Sequence, residues 1–114
     1  MSTCLFCKIV KREIPGSIVY EDDHVLAFED LNPQAPLHIL VIPKRHIASL
    51  NDLGFSDDRL IGEIVRRGAT IARERGFSES GFRVVCNTNE DAGQTVFHIH
   101  LHVLGGRDMK WPPG

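Results

Sequence analysis

The 114-residue sequence lacks any apolar run long enough to cross a membrane and lacks any concentration of charge of one sign. A membrane-spanning helix needs roughly 18 or more consecutive apolar residues, and no segment of this chain approaches that length. The 13 basic and 15 acidic residues are mixed along the chain, so there is no basic stripe that would follow a nucleic-acid backbone. The sequence therefore predicts neither a membrane protein nor a nucleic-acid-binding protein.

Cysteine is also scarce: the three residues are an odd number, in a chain too large to need a disulfide framework. The residues from Met1 to Cys4 lead directly into sequence typical of a folded domain, and we expect no signal peptide. Reduced thiols or a metal site in the cytoplasm fit this cysteine usage better than disulfide bonds do. We predict a single domain over residues 1–114, with 105–114 as an irregular tail.

What the sequence does contain is a short segment of alternating histidines. From Val96 to Leu104, Phe97, Ile99, Leu101 and Val103 alternate with His98, His100 and His102. Successive side chains of a strand point to opposite faces, so this spacing predicts a strand with three imidazoles in a row on one face. The polar residues 90–95 just upstream include a glycine and predict a loop whose free amides could hold an anion beside the histidines.

A row of imidazoles at this spacing favours two kinds of chemistry. Histidines on a strand can hold zinc, here with His98, His100 and His102 as ligands of an ion that activates water. Alternatively, one histidine can attack an electrophile directly while its neighbours orient it and bind the substrate. A purely structural role is the least favoured interpretation, because half of the six histidines occur at strict alternation.

The remaining periodicity predicts an α+β fold. The expected elements are a short helix at 4–11 capped by Ser2 or Thr3, strands at 17–20, 25–29 and 37–42, a long helix capped by Ser56 and stopped by Gly76, and strands at 82–87 and 96–104. The buried stripe of the long helix is expected to consist of Leu60, Ile61, Ile64, Val65, Ala69, Ile71 and Ala72. Short connections favour antiparallel pairing, so we predict an antiparallel sheet of about five strands with the long helix on one face and the histidines on the other.

Cys4 and Cys7 have the spacing of zinc ligands, but one pair supplies two of the four ligands of a structural site. Candidate partners are His46, which follows the end of a strand, and His98. A closed site made of these four residues would tie the first helix to the sheet. The alternative is a pair of small buried thiols.

Three further residues each allow two interpretations. His38 lies alone in an apolar strand and is either a satisfied core histidine or a support for the histidine row. Asp30 is either a surface carboxylate or an acceptor for sugar hydroxyls. Trp111 lies in a tail too short to form a core of its own, and it either folds back or contacts a neighbouring subunit.

The segment HIHLHVL fits the pattern His-apolar-His-apolar-His followed by two apolar residues, and through it the chain resembles the histidine triad superfamily. The chain is most similar to the Hint branch, the nucleoside phosphoramidases, through FCKIVKREIP, AFEDLNPQAPLHILVIPKRHI, NTNEDAGQTVFHIHLHVLGGR and the ending WPPG. The resemblance implies a homodimer whose two sheets join into one. It also implies a site for purine nucleoside 5′-monophosphates and hydrolysis of P–N bonds, as in adenosine 5′-phosphoramidate or lysyl-adenylate.

The same resemblance implies roles for individual residues. His100 would be the nucleophile and His102 a contact to the phosphate or leaving group. The implied substrate contacts are Asp30 at the ribose, Leu31 at the base, Asn87, Gly93, Gln94 and Thr95 in the phosphate-side loop, and Trp111 near the partner's site. Thr95 stands where serine is common in the branch and keeps the hydroxyl. Cys4, Cys7, His46 and His98 imply the zinc-bearing form.

Two other functions compete with the phosphoramidase. One is a dinucleoside polyphosphate hydrolase or nucleotidylyl transferase of the same superfamily. The other is a regulatory protein that binds a nucleotide and turns it over slowly. The matching loop and tail favour the phosphoramidase.

Overall fold

The computed structural model describes residues 3–114, and in them one five-stranded antiparallel sheet carries a helix on each face. The strands are β1 (Ile18–Glu21), β2 (Val25–Glu29), β3 (Leu37–Pro43), β4 (Phe82–Val85) and β5 (Leu101–Gly105), and the helices are α1 (Leu5–Val10) and α2 (Asp58–Glu74). The strand order across the sheet is β1-β2-β3-β5-β4. The predicted α+β architecture is confirmed.

β3 is the central strand because all seven of its residues are buried and it pairs with β2 on one side and β5 on the other. In the β3–β5 register, His38 lies opposite Leu104 and Leu40 lies opposite His102. Residues directly opposite each other, and residues two apart, share one face of a sheet. His38 and His102 are therefore diagonal neighbours on the same face.

The long helix α2 covers the other face of the sheet. Ile64, Ile71 and Ala72 are buried against β3 and β5, and Gly68 lets the helix approach closely: a Cβ at that position would lie 3.0 Å from a methyl carbon of Val103. The predicted stripe omitted Gly68. It also wrongly included Val65, whose residue surface is 46% exposed.

Both predicted helix caps are wrong in detail. A 3₁₀ turn at Phe55–Asp57 precedes α2, so the residue at its N-cap is Asp57 rather than Ser56. At α1 the cap is Cys4, whose Sγ accepts a hydrogen bond from the backbone N–H of Cys7 at 3.4 Å. Thr3 therefore does not cap this helix, and Ser2 lies outside the described residues. The predicted stop of α2 is correct, since Gly76 follows its end with a φ of 88°.

α1 packs on the histidine face of the sheet. Phe6 and Ile9 form a second core cluster with Leu26, Phe28 and Leu40. Part of the histidine face is thus covered by a short apolar helix, and the remainder is open to a cavity described below. Among residues 3–114 no helix is both long enough and apolar enough to span a bilayer.

The largest correction concerns the histidine strand, which begins at Leu101 and not at Val96. In the preceding segment the backbone N–H of Ile99 donates to the carbonyl of Ile47 at 2.6 Å, so this segment bonds to the connection after β3. Phe97 is 49% exposed, and the alternation does not bury it. β4 likewise ends at Val85 instead of Asn87, and β1 is shifted by one residue to Ile18–Glu21.

Candidate active site and metal centre

A cavity of about 310 Å³ opens on the histidine face, between α1, the end of β2 and the loop that leads to β5. Its walls include most of the predicted catalytic and substrate-binding residues: Asp30, Leu31, Asn87, Gly93, Thr95, His100 and His102. The apolar side of the cavity comes from α1 and β2, through Phe6, Ile9 and Phe28. An apolar slot with polar groups converging at one end is the usual form of a small-molecule site.

Three of the predicted catalytic and substrate-binding residues do not line this cavity: His38, which contacts His102 as described below, Gln94 and Trp111. The side chain of Gln94 is buried: Nε2 donates to the carbonyl of Ala48, in the connection after β3, at 2.8 Å, and Oε1 accepts from the N–H of Asn89, in its own loop, at 2.9 Å. Gln94 therefore holds the loop in shape. Trp111 is 82% exposed on the tail.

His100 is oriented by the backbone next to it. Its Nδ1 lies 2.8 Å from the carbonyl oxygen of His98, and a carbonyl can only accept, so Nδ1 carries the hydrogen. In the neutral ring Nε2 therefore keeps its lone pair. The ring is 8% exposed and packs edge-on against Phe6, with the ring centroids 5.0 Å apart. A buried imidazole with one nitrogen bonded and the other unprotonated is arranged as a nucleophile or a base.

His102 belongs to a hydrogen-bonded pair with His38. The Nδ1 of His102 lies 2.9 Å from the Nε2 of His38. Burial, followed by the neighbouring His100 and His38, lowers the pKa of His102 to about 4. Burial also lowers the pKa of His38, helped by Arg107 and opposed by the carboxylate of Asp30. Both rings are therefore neutral near pH 7.

Asp30, His38 and His102 together look like a metal site, since one donor atom of each lies within 4.8 Å of the others. The hydrogen bonds argue against that role. The backbone N–H of Gln34 donates to Nδ1 of His38 at 2.9 Å, so the hydrogen of the neutral ring is on Nε2. Nε2 of His38 lies 2.9 Å from Nδ1 of His102 and 3.3 Å from Oδ2 of Asp30. Because Nε2 carries the hydrogen, it has no lone pair with which to bind a metal ion. The group acts as a chain of hydrogen bonds.

A second cluster has the chemistry of a metal centre, and it contains Cys4, Cys7, His46 and His98 within 4.8 Å of one another. Nδ1 of His98 lies 3.5 Å from both sulfurs, and Nδ1 of His46 lies 3.3 Å from the sulfur of Cys7. Zn–S and Zn–N bonds of tetrahedral sites imply S···N edges of about 3.6 Å. The donors and their spacing therefore fit one tetrahedral ion, as predicted from the sequence.

A hydrogen bond from Nε2 of His98 leaves its Nδ1 able to bind a metal ion. Nε2 donates to the carbonyl of Pro43 at 2.7 Å, which leaves the lone pair on Nδ1, the nitrogen that faces the sulfurs. Burial is the main cause that lowers the pKa of His98, which keeps the ring in the neutral form that binds metals. Both nitrogens of His98 thus point away from His100 and His102. Within residues 3–114, no cluster able to hold an ion uses these three histidines together, so the alternative of a catalytic zinc on the histidine row has no support.

Comparison with known proteins decides the family. Residues 3–111 match the family described as "Scavenger mRNA decapping enzyme C-term binding". A purine nucleoside phosphoramidase of Escherichia coli strain K12 is 48% identical over 105 residues, which cover 92% of this chain and 88% of that protein. A solved HIT family hydrolase from Legionella pneumophila Philadelphia 1 is 54% identical, with 98% of this chain and 100% of that chain covered and a TM-score of 0.96. The chain belongs to the histidine triad superfamily.

A histidine triad protein of known structure from Clostridium difficile is also similar, at 48% identity with 96% of each chain covered and a TM-score of 0.92. In this histidine triad chain, the contributors to the site that sequence reasoning missed include Phe6, the backbone N–H of Gln34 and the carbonyl of Pro43. Phe6 could have been found from its place in the apolar stripe of α1. The two backbone groups leave no signal in side-chain patterns, because any residue supplies a carbonyl and almost any supplies an N–H.

Proposed function

We propose that this histidine triad protein hydrolyses the P–N bond of purine nucleoside 5′-phosphoramidates and the acyl-phosphate P–O bond of aminoacyl-adenylates such as lysyl-AMP. The observation that carries the proposal is His100: its Nδ1 is bonded to the carbonyl of His98, and the ring lines the cavity with His102 beside it. The name of the Escherichia coli relative, purine nucleoside phosphoramidase, supports the same activity.

In the first step, Nε2 of His100 attacks phosphorus and an N–P bond forms. In a phosphoramidate the bond from phosphorus to the amine breaks, and in an aminoacyl-adenylate the P–O bond breaks and the amino-acid carboxylate leaves. The amine leaves with a proton from Thr95 or from a bound water. His102 is neutral, with Nδ1 accepting from His38, so its Nε2–H donates to a phosphoryl oxygen and stabilises the developing charge. In the second step, water attacks phosphorus, the bond to His100 breaks, and the nucleoside monophosphate is released.

The cavity suits the nucleotide part of such a substrate. The carboxylate of Asp30 accepts the ribose hydroxyls; its Oδ1 already accepts from Asn32 and Oδ2 faces His38, but each oxygen has a second lone pair. Leu31, 94% exposed at the mouth, covers one side of the base. Asn87 and the amides near Gly93 bind the phosphate, within a loop held in shape by Gln94.

We also propose that the ion held by Cys4, Cys7, His46 and His98 is zinc, because thiolate and imidazole donors in a tetrahedron are its usual ligands. The ion is structural: it takes no part in the reaction and ties α1 to the segment before β5. Thiolate ligands need reduced cysteines, which agrees with a cytoplasmic location.

The active form we propose is a homodimer in which two sheets join. Three observations support it: β4 is an edge strand with Val84 37% exposed, Val65 on α2 is 46% exposed, and Trp111 is exposed on the tail. Sedimentation should give twice the chain mass. Val65→Glu should shift the protein toward monomer with an unchanged circular dichroism spectrum, because burying the new carboxylate opposes association. A wild-type protein that sediments as a monomer at micromolar concentration would contradict the dimer.

The activity is tested by comparing kcat/KM for adenosine 5′-phosphoramidate, lysyl-adenylate and a diadenosine polyphosphate. We expect kcat/KM for adenosine 5′-phosphoramidate and for lysyl-adenylate to exceed kcat/KM for the polyphosphate by about a hundredfold or more. This ratio is equivalent to a difference of roughly 3 kcal/mol in the activation barrier. The physical reason is charge: among the described residues that line the cavity there is no Lys or Arg to bind a polyphosphate leaving group. A faster polyphosphate reaction would favour the polyphosphate hydrolase, and tight AMP binding with negligible turnover of all three would favour the regulatory protein.

A further inference from the structure

The loop between β2 and β3 contributes a backbone group to the histidine pair. The N–H of Gln34 donates to Nδ1 of His38 at 2.9 Å. A ring nitrogen that accepts a hydrogen bond has no hydrogen, so in the neutral ring of His38 the hydrogen must be on Nε2. One peptide group thus selects one of the two tautomers of His38.

The tautomer of His38 in turn determines the tautomer of His102. Nε2 of His38, now a donor, lies 2.9 Å from Nδ1 of His102, which must accept. The hydrogen of a neutral His102 is therefore on Nε2, the nitrogen left to face the cavity that His102 lines. With the opposite tautomer in both rings, His102 would present a lone pair toward the phosphoryl oxygens, and two acceptors would repel.

Residues that follow β5 contact Gln34 and its loop and hold them in position. Nε of Arg107, just after β5, donates to the carbonyl of Gln34 at 2.7 Å. The neighbouring Gly106 has a φ of 93°, and a Cβ there would lie 2.9 Å from the Cβ of Pro36. The tail therefore crosses directly over the proline-rich loop, in van der Waals contact with it. The side chain of Gln34 adds a third bond, from Nε2 to the carbonyl of Asn32 at 2.9 Å.

We propose that Gln34, through its backbone N–H, and Arg107, through its contact to Gln34, are positioning residues that select the His102 tautomer able to donate to the phosphoryl group. Neither residue lines the cavity, and each acts through His38. The role in turnover rests on the proposed phosphoramidase reaction, whereas the tautomer assignment does not.

The decisive variant is Gln34→Pro, which removes the N–H, with Gln34→Ala as the matched control that keeps it. Imidazole ¹⁵N spectra of the nucleotide-free protein should show His38 and His102 as single Nε2–H tautomers in the wild type and in Gln34→Ala. In Gln34→Pro both rings should become mixtures. With adenosine 5′-phosphoramidate, kcat should fall about 10- to 100-fold, as for loss of other groups that orient a reacting ligand, and AMP affinity should change by less than about threefold.

A second pair of variants keeps the test valid if the proline variant does not fold. Arg107→Met should produce partial tautomer mixing and a several-fold lower kcat, whereas Arg83→Met, which removes another tail contact at the carbonyl of Lys110, should change neither. An Nδ1–H tautomer of His102 in the wild type, or unchanged spectra in both Gln34→Pro and Arg107→Met, would overturn the proposal. If the spectra respond as expected but no variant or wild-type protein turns over a phosphoramidate, the proposed activity fails and the tautomer control stands.

Discussion

Replacing His100 with alanine should lower kcat for adenosine 5′-phosphoramidate by at least about ten-thousandfold, equivalent to roughly 5 kcal/mol of barrier. In the proposed reaction the ring supplies the nitrogen that bonds to phosphorus, and no neighbouring histidine is placed to replace it. His98 has its nitrogens directed to Pro43 and to the sulfurs, and His102 has its Nδ1 occupied by His38. AMP should still bind, because the ribose and base contacts come from β2, the following loop and α1.

The measurement that isolates this role is intact-mass analysis during turnover. Wild-type protein should carry one added nucleotidyl group per chain at short times, and His100→Ala should carry none. His24→Ala is the matched control: His24 is exposed in the turn between β1 and β2, so its loss should leave both the adduct and kcat unchanged. Near-normal turnover by His100→Ala would refute a nucleotidyl-histidine intermediate.

The double variant Cys4→Ser/Cys7→Ser should lose the bound metal and a large part of the protein's stability. Elemental analysis of wild-type protein should give about one zinc per chain, and the variant should retain less than about a tenth of that. Structural zinc contributes its binding free energy to folding, so a loss of at least about 3 kcal/mol is expected. For a chain of this size that lowers Tm by roughly 10 °C or more.

The same variant should also weaken nucleotide binding, in contrast to His100→Ala. α1 carries Phe6 and Ile9 in the wall of the cavity, and in the proposed site the ion would hold Cys4 and Cys7 at the start of α1 against His46 and His98. Cys86→Ser is the control, since its thiol lies outside the metal cluster and zinc content should not change. If the double variant binds as much zinc as the wild type and melts at the same temperature, the cluster is not a structural metal centre.

Local pattern was sufficient for elements whose own residues carry the signal. β2 was predicted at Val25–Glu29, as observed, because turn residues flank a compact apolar run. The end of α2 was predicted because Gly76 adopts a positive φ that other residues rarely adopt. The four candidate metal ligands are also predicted from the sequence, since the Cys4–Cys7 spacing and the family resemblance both indicate them, and the structure brings the four side chains together.

Prediction failed where a distant segment competes for the same backbone. Val96 to His100 alternates as a strand should, yet Ile99 bonds to Ile47 and the strand begins only at Leu101. Val65 fits the apolar period of α2 and is nevertheless 46% exposed, although Ile64 and Gly68 beside it are buried against the sheet. The apolar periodicity of a segment does not show which of its residues another segment will cover.

The histidine row and the Cys4–Cys7 pair are thus readable along the chain, since each rests on spacing between near neighbours, and the family is readable from motifs spread along the sequence. The protonation pattern of the site is not. The nitrogen of His98 that carries the hydrogen is set by the carbonyl of Pro43, 55 residues away, and that of His102 is set by His38, 64 residues away. Hydrogen-bond partners select a tautomer only when they are within about 3 Å, and folding alone brings residues that far apart in sequence to that distance.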